Sequence, residues 1–268
     1  MYLARQTANE RFDTRGMKSE FKAVLRRFLP RSIHKHRILG GPLRGYRIVT
    51  SWHDYPAAIT GRTECPLLKW FARNVKPGET WLDVGAHYGY TAIALSRLVR
   101  IQGRVFAFEP MVGTAGYLNQ TRQLNNFFQL TVLPLGLAVP GTMELRQMPK
   151  ARGMVYSTLR KSEGFQETIM VVRLDWLWPQ ISGGEENIHG VKIDVQGMEI
   201  EVLKGMSELL RKFGPKLAVE MHKGIDRSEL LHLVASLGYS LPGAPIEPTL
   251  GEVDPLYLDD RSYAFRII

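Results

Sequence analysis

An apolar strand that ends in an acid and turns on glycines into a helix constrains this chain most. It is the stretch TWLDVGAHYGYTAIAL, residues 80–95. Helical spacing begins after Gly89, whereas WLDV reads as a buried strand. The alternation then continues with GRVFAFEP as a strand, a helix over about residues 112–126, and LTVLPLGLAV as a strand. It resumes later with HGVKIDVQG, the helix MEIEVLKGMSELLRKF, the strand PKLAVEMH, the helix RSELLHLVASLG and the terminal strand SYAFRII. A β-rich insertion, residues 141–174, interrupts the rhythm with GTMELRQM and QETIMVVRL as strands. The pattern predicts an α/β fold: a mostly parallel central sheet, helices on both faces, and the β-rich insertion. CPLLKWFARNV has the spacing of a further helix ahead of the first strand.

The turn selects its ligand by charge. No Gly-Lys-Ser/Thr follows, which excludes a P-loop, and the spacing D-x-G-x-x-x-G is not the dinucleotide pattern. Asp83 stands just before the turn, where a carboxylate repels a pyrophosphate on the helix N-terminus and suits a cationic group. Gly85 permits a sharp turn and a close approach by a ligand, with Ala86 and His87 inside the turn, and Gly89 permits close packing where the helix begins. Glu109, followed by Pro110, ends the next strand, where a carboxylate accepts from both ribose hydroxyls. Taken singly, Asp83 reads equally well as a helix cap and Glu109 as a solvated strand end. Two acids on successive strands flanking one glycine turn argue for an amino acid joined to a nucleoside without phosphate, which describes S-adenosylmethionine.

Charge and length set the remaining bounds. Residues 1–50 hold twelve Lys/Arg against three Asp/Glu, an excess equal to the net charge of +9 for all 268 residues. This gives a domain division of a basic N-terminal extension, residues 1–50, and a main domain, residues 51–268. Within the extension FKAVLRRFL places Phe21, Val24, Leu25, Phe28 and Leu29 on one helical face, to be docked on the main domain. Peripheral contact with an anionic membrane is the second reading, and nucleic acid is not favoured, for no module of interleaved aromatic and basic residues is present. A single cysteine, Cys65, excludes an internal disulfide, and neither a secretory leader nor an apolar run of roughly 20 residues is visible. Together these point to a cytoplasmic protein.

The motifs DVGAHYG, AFEP, VRLDWL, VKIDVQGMEIEVLKG and AVEMH, in that order, resemble the FkbM family of S-adenosylmethionine-dependent methyltransferases. The resemblance covers about residues 60–223, and KIDVQG is its most specific element. It implies a Rossmann-like class I methyltransferase fold and methyl transfer, usually to oxygen, on sugars, glycolipids or polyketide-like metabolites. His87 stands where the family pattern has asparagine, and Gln196 where it has glutamate. The third strand lacks the acid that often meets adenine in such folds, leaving backbone and apolar groups near Leu135 to Ala138 for that contact.

Ligands on open α/β sheets bind beyond the carboxyl ends of the strands. Asp83 and Glu109 mark that edge; Asp194 ends the fourth strand, with a further cofactor contact, and Glu220 with His222 the fifth. A hydroxyl acceptor needs a base, and His222 is the first choice because an unperturbed imidazole titrates near neutrality. Asp194 orients it or takes the proton itself, with Glu220 beside them. The same three side chains are a ligand set for a divalent metal, a reading the sequence does not favour, since spacing alone shows no ligand geometry. Tyr156, Ser157 and Thr158 of the insertion are candidate donors to a small hydroxylated acceptor, whereas Trp176 and Trp178 read as helix or core residues before sugar platforms. The rival readings are methylation of nitrogen or RNA and a non-catalytic cofactor-binding module. The Asn/Asp-Pro-Pro-aromatic signature of many amino-group methyltransferases is absent, with DVQG in its place.

Overall fold

The alternation read from the sequence becomes five parallel strands lying side by side. The structure is a computed structural model, which describes residues 28–155, 166–183, 187–247 and 257–268. The chain begins with a hairpin of β1 (His34–Arg37) and β2 (Arg47–Thr50), then runs α1 (Pro56–Thr60), α2 (Cys65–Asn74), β3 (Thr80–Val84), α3 (Tyr90–Val99), β4 (Arg104–Phe108), α4 (Val112–Leu124) and β5 (Leu130–Leu133). After β6 (Gly136–Leu137), the insertion supplies β7 (Glu144–Ala151), β8 (Met154–Val155) and β9 (Gln166–Val172). The second half follows as α5 (Leu174–Ile181), β10 (Gly190–Ile193), α6 (Glu199–Gly205), α7 (Ser207–Phe213), β11 (Lys216–Met221), α8 (Arg227–Ser236), β12 (Ala244–Pro245) and β13 (Arg261–Phe265).

The main sheet has the order β12-β13-β11-β10-β3-β4-β5. Strands β11, β10, β3, β4 and β5 are parallel, and β13 enters antiparallel beside β11. This is the class I methyltransferase arrangement of a Rossmann-like sheet. Strand order reverses at β3, whose neighbours are β4 on one side and β10 on the other, so the crevice for a ligand opens at their carboxyl ends. Strand alternation sends Leu82 and Val84 to one face and Trp81 to the other. The first face packs with Phe106, Ile193, Leu203 and Trp178, the second with Phe71, Ile93 and Leu95.

Three elements differ from the sequence reading. LTVLPLGLAV is two strands, not one. Proline cannot donate to a ladder, and the chain leaves the main sheet around Pro134 so that β6 pairs in parallel with β9. Together with β6, the insertion forms its own four-stranded sheet, β6-β9-β7-β8, with β7 antiparallel to β9. MEIEVLKGMSELLRKF is broken at Met206, which has φ −126°, into α6 and α7. A Cβ on Gly205 would lie 2.0 Å from the Ala138 carbonyl oxygen, so the end of α6 sits directly on the backbone after β6.

The described part of the basic extension is packed in rather than appended. Ile38, Leu43 and Ile48 are buried in the same cluster as Trp81 and Phe71. The Val49 N–H donates to Thr121 Oγ1 at 2.9 Å, and Asn125 brackets both backbone groups of Arg47. The helix expected over residues 21–29 falls almost wholly outside the described residues. No helix among the described residues is long and apolar enough to cross a membrane.

Trp178 is buried edge-on against Phe106, ring centroids 5.0 Å apart, whereas Trp176 is 47% exposed. Truncating the first removes a large side chain from the core. Trp178→Ala is expected to cost about 3–5 kcal/mol in urea unfolding, and Trp176→Ala less than about 1 kcal/mol.

Candidate active site

The turn after β3 is pinned to the neighbouring strand by two hydrogen bonds, from Gly85 N and Ala86 N to Phe108 O, each 3.0 Å. Gly85 has φ +79°, and a Cβ there would lie 1.8 Å from the Asp194 carbonyl oxygen. The expected role of Gly85 is thus sharpened: bare backbone is needed first against the end of β10. Gly89 packs as expected, with the site of its missing Cβ 2.2 Å from a Leu118 methyl group. His87 takes the left-handed conformation at φ +50°, one that favours asparagine and tolerates histidine. Its ring lies against Tyr55 and Tyr88, and Nε2 donates to the Arg152 carbonyl oxygen at 3.1 Å, tying the turn to the insertion. Burial pushes the His87 imidazole down to about 4, so it is neutral.

Glu109 is fixed by backbone donors: His87 N to Oε2 at 2.9 Å and Met111 N to Oε1 at 3.0 Å. It is buried yet lines the cavity, as do Pro110, Gly85, Ala86 and His87. Burial raises its carboxyl to about 7 against the pull of the two N–H groups.

Asp83 departs from its expected place. It is fully buried and absent from the cavity wall. Register explains this: Lys192 of β10 is the partner of Asp83 across the parallel ladder, so their side chains share a face. Lys192 Nζ lies 3.1 Å from Asp83 Oδ1, 3.4 Å from Asp194 Oδ2, and donates to Gly85 O at 3.0 Å. Thr91 Oγ1 donates to Asp83 Oδ2 at 2.7 Å. Asp83 is thus paired with a buried lysine and does not open onto the cavity. Burial works against the Lys192 charge, but Asp83 and Asp194 outweigh it and hold the ammonium protonated.

Asp194, Glu220 and His222 converge as expected from the strand ends. His222 Nε2 is 3.5 Å from Asp194 Oδ1 and 3.6 Å from Glu220 Oε1. Nδ1 is 2.6 Å from Glu199 Oε1, and the Gln196 amide lies 2.8 Å from Nε2. Burial disfavours the imidazolium, but the hydrogen bond to Glu199 and the charges of Asp194, Glu199 and Glu220 outweigh it and push the group up to about 9. Burial also disfavours the Asp194 charge, yet Lys192 and His222 hold its carboxyl below the usual range. Glu220 is raised to about 9, first by the charge of Asp194 and then by burial. Asp194 and Glu220 line the cavity, whereas His222 stands behind them. His222, expected as the base, does not line the cavity, and its ring nitrogens lie against Glu199 and Gln196.

Tyr156, Ser157 and Thr158 lie outside the described residues. Lys192, Glu199, Glu64 and Arg152 are site residues the sequence reading missed. Lys192 left a signal, a lysine inside the apolar run GVKIDV. Glu199 sits in the first turn of a helix and reads as an ordinary cap. Glu64 and Arg152 reach the cavity, about 280 Å³, from remote loops and left none.

A family profile described as the methyltransferase FkbM domain matches residues 83–241, more than half of the chain. The chain belongs to the FkbM methyltransferase family. It carries an S-adenosylmethionine-dependent methyltransferase domain. A curated relative, the hexuronic acid methyltransferase AglP of Haloferax volcanii, is 29% identical over 177 residues, which are 65% of this chain and 69% of that protein. Among solved structures, an FkbM methyltransferase of Methylobacillus flagellatus superposes with a TM-score of 0.48 at 18% identity, covering 74% of this chain. The chain spans about half the length of that protein, 50%. Fibrillarin of Aeropyrum pernix, with S-adenosylmethionine bound, gives 0.47 at 14% identity over 88% of each chain.

Within this FkbM domain the Asp83–Lys192 pair carries a sharp stability consequence. Breaking a buried pair costs more than removing it whole, because one charge is left stranded. Lys192→Met is expected to destabilise by about 3–5 kcal/mol in urea unfolding, and adding Asp83→Asn to recover most of that loss.

Proposed function

We propose that this domain methylates a hydroxyl group of an acidic sugar or sugar conjugate. The observation that carries the reading is one cavity lined both by a buried carboxyl group held by two backbone N–H groups, Glu109, and by an ionised, partly exposed carboxylate, Asp194. Glu109, buried and aimed by two backbone N–H groups, fits a nucleoside sugar. Leu135 and Leu137 offer an apolar wall for adenine, and the turn Gly85–His87 lies between them and Asp194. The donor set thus fits S-adenosylmethionine, and Asp194, rather than Asp83, is the acid available to its ammonium end. When bound, this cofactor supplies a methyl group on a sulfonium, an excellent leaving group.

The work left to the chain is alignment and proton removal. Asp194 faces the cavity, is held ionised by Lys192, and takes the hydrogen bond of the acceptor hydroxyl, drawing off its proton as the new bond forms. His222 and Glu199 act as positioning residues behind it. Arg152, on the rim contributed by the insertion, suits the carboxylate of a uronic acid. The name of the Haloferax relative supports that acceptor class.

Two measurements check the reading. Ribose hydroxyls donate to the charged form of Glu109, whose carboxyl holds a proton below about 7 in the free protein. Cofactor affinity measured by calorimetry should therefore strengthen as pH rises through 7 and level off above it. The gain from pH 6 to pH 8 should be about tenfold, and Glu109→Gln should flatten the profile. In a radiolabelled transfer assay on a panel of uronate-containing glycans, Asp194→Asn should lower kcat by about 10²–10⁴. Label found only on amine acceptors, or full activity in Asp194→Asn, overturns the assignment.

A further inference from the structure

We propose that Asp194, Glu220 and His222 hold one divalent cation of the Mn²⁺ or Mg²⁺ kind, at the acceptor end of the cavity. This rests on the methyl-transfer reading and adds a metal to it. One ligand atom from each residue lies within 4.8 Å of the other two. The distances from His222 Nε2, 3.5 Å and 3.6 Å, are close to the spacing a shared ion imposes. Ligands about 2.1 Å from a common centre stand about 3.0–3.4 Å apart at octahedral or tetrahedral angles. The imidazole needs to approach each carboxylate by only a few tenths of an ångström. Asp194 and Glu220 both line the cavity, which gives an ion its entry path.

A second observation stands outside the trio. Glu199 is fully buried and holds His222 Nδ1 at 2.6 Å, turning Nε2 toward the two carboxylates. A carboxylate behind the imidazole is how metal-ligating histidines are commonly oriented. Gly197 N also donates to Oε1 at 3.2 Å, while the other oxygen, Oε2, is buried with no hydrogen-bond partner among the described residues.

Charge balance points the same way. Asp83, Asp194, Glu199 and Glu220 crowd around Lys192 and His222, with Glu64 behind them. Lys192 is already shared between Asp83 and Asp194, so Asp194, Glu199 and Glu220 converge on the single imidazole of His222. Two carboxylates converging at reduced solvent exposure are costly unless positive charge is added. One imidazole with two carboxylates suits a divalent ion that retains open positions toward the cavity. Gln196, turned over, brings its amide oxygen beside Nε2 as a further neutral ligand. An ion in this place would hold the acceptor hydroxyl and lower its pKa, with Asp194 acting as the ion's ligand in place of the direct hydrogen bond to the hydroxyl.

The test uses the full chain, stripped with a chelator and titrated with MnCl₂, with free Mn²⁺ read by electron paramagnetic resonance. S-adenosylmethionine binding is measured on the same samples by calorimetry. One Mn²⁺ per chain is expected. Glu220→Gln and Glu199→Gln should each weaken it by about ten- to hundredfold, with cofactor affinity unchanged within about twofold. If cofactor binds but the wild type takes up no stoichiometric Mn²⁺, or Glu220→Gln binds it equally well, the cation site is overturned and the methyl-transfer reading stands. Failure of the wild type to bind cofactor overturns both.

Discussion

The site is organised around a buried lysine on a parallel strand. Lys192 is fixed opposite Asp83 by the β3–β10 register, reaches the Gly85 carbonyl, and lies beside Asp194. It therefore connects the glycine turn to the end of the fourth parallel strand. Such a pair contributes little net stability, because desolvation offsets attraction. Its contribution is positional: the ammonium cannot leave without stranding a carboxylate in the core. The turn and Asp194 are held in one arrangement as a result.

The same constraint divides the acids into two kinds. Asp83 and Glu199 are spent inside the protein, one on Lys192 and the other on His222. Glu109, Asp194 and Glu220 line the cavity. The division follows from backbone geometry. Glu109 and Asp194 fall just beyond the last residues of β4 and β10, where side chains meet the crevice, whereas Asp83 lies two residues earlier in register, inside the ladder. The insertion closes the crevice from above. His87 donates to Arg152, and Thr114 donates to the Gly153 carbonyl oxygen at 3.0 Å.

Much of the framework was legible before the structure. Tyr90–Val99 and the five parallel strands follow from periodicity and glycine punctuation, because buried parallel strands read as continuous apolar runs. Two elements misread the same way: a long apolar run was taken as continuous where tertiary contact breaks it. Pro134 diverts one run into a second sheet, and the approach of Gly205 to Ala138 ends α6 early. The hairpin of residues 34–50 was read by its charge, but the buried residues Ile38, Leu43 and Ile48 decide where it packs.

The sequence by itself determined the family, the sheet edge at which ligands bind, and the acids that end each strand. These depend on local order: a strand, then a turn, then a helix, with an acid at each junction. The tertiary structure alone decided which acids remain available. Availability depends on neighbours far apart in sequence, as Lys192 is from Asp83. It also turned His222 from a free base into the partner of Glu199, because the end of β11 and the first turn of α6 meet only once the sheet has closed around them.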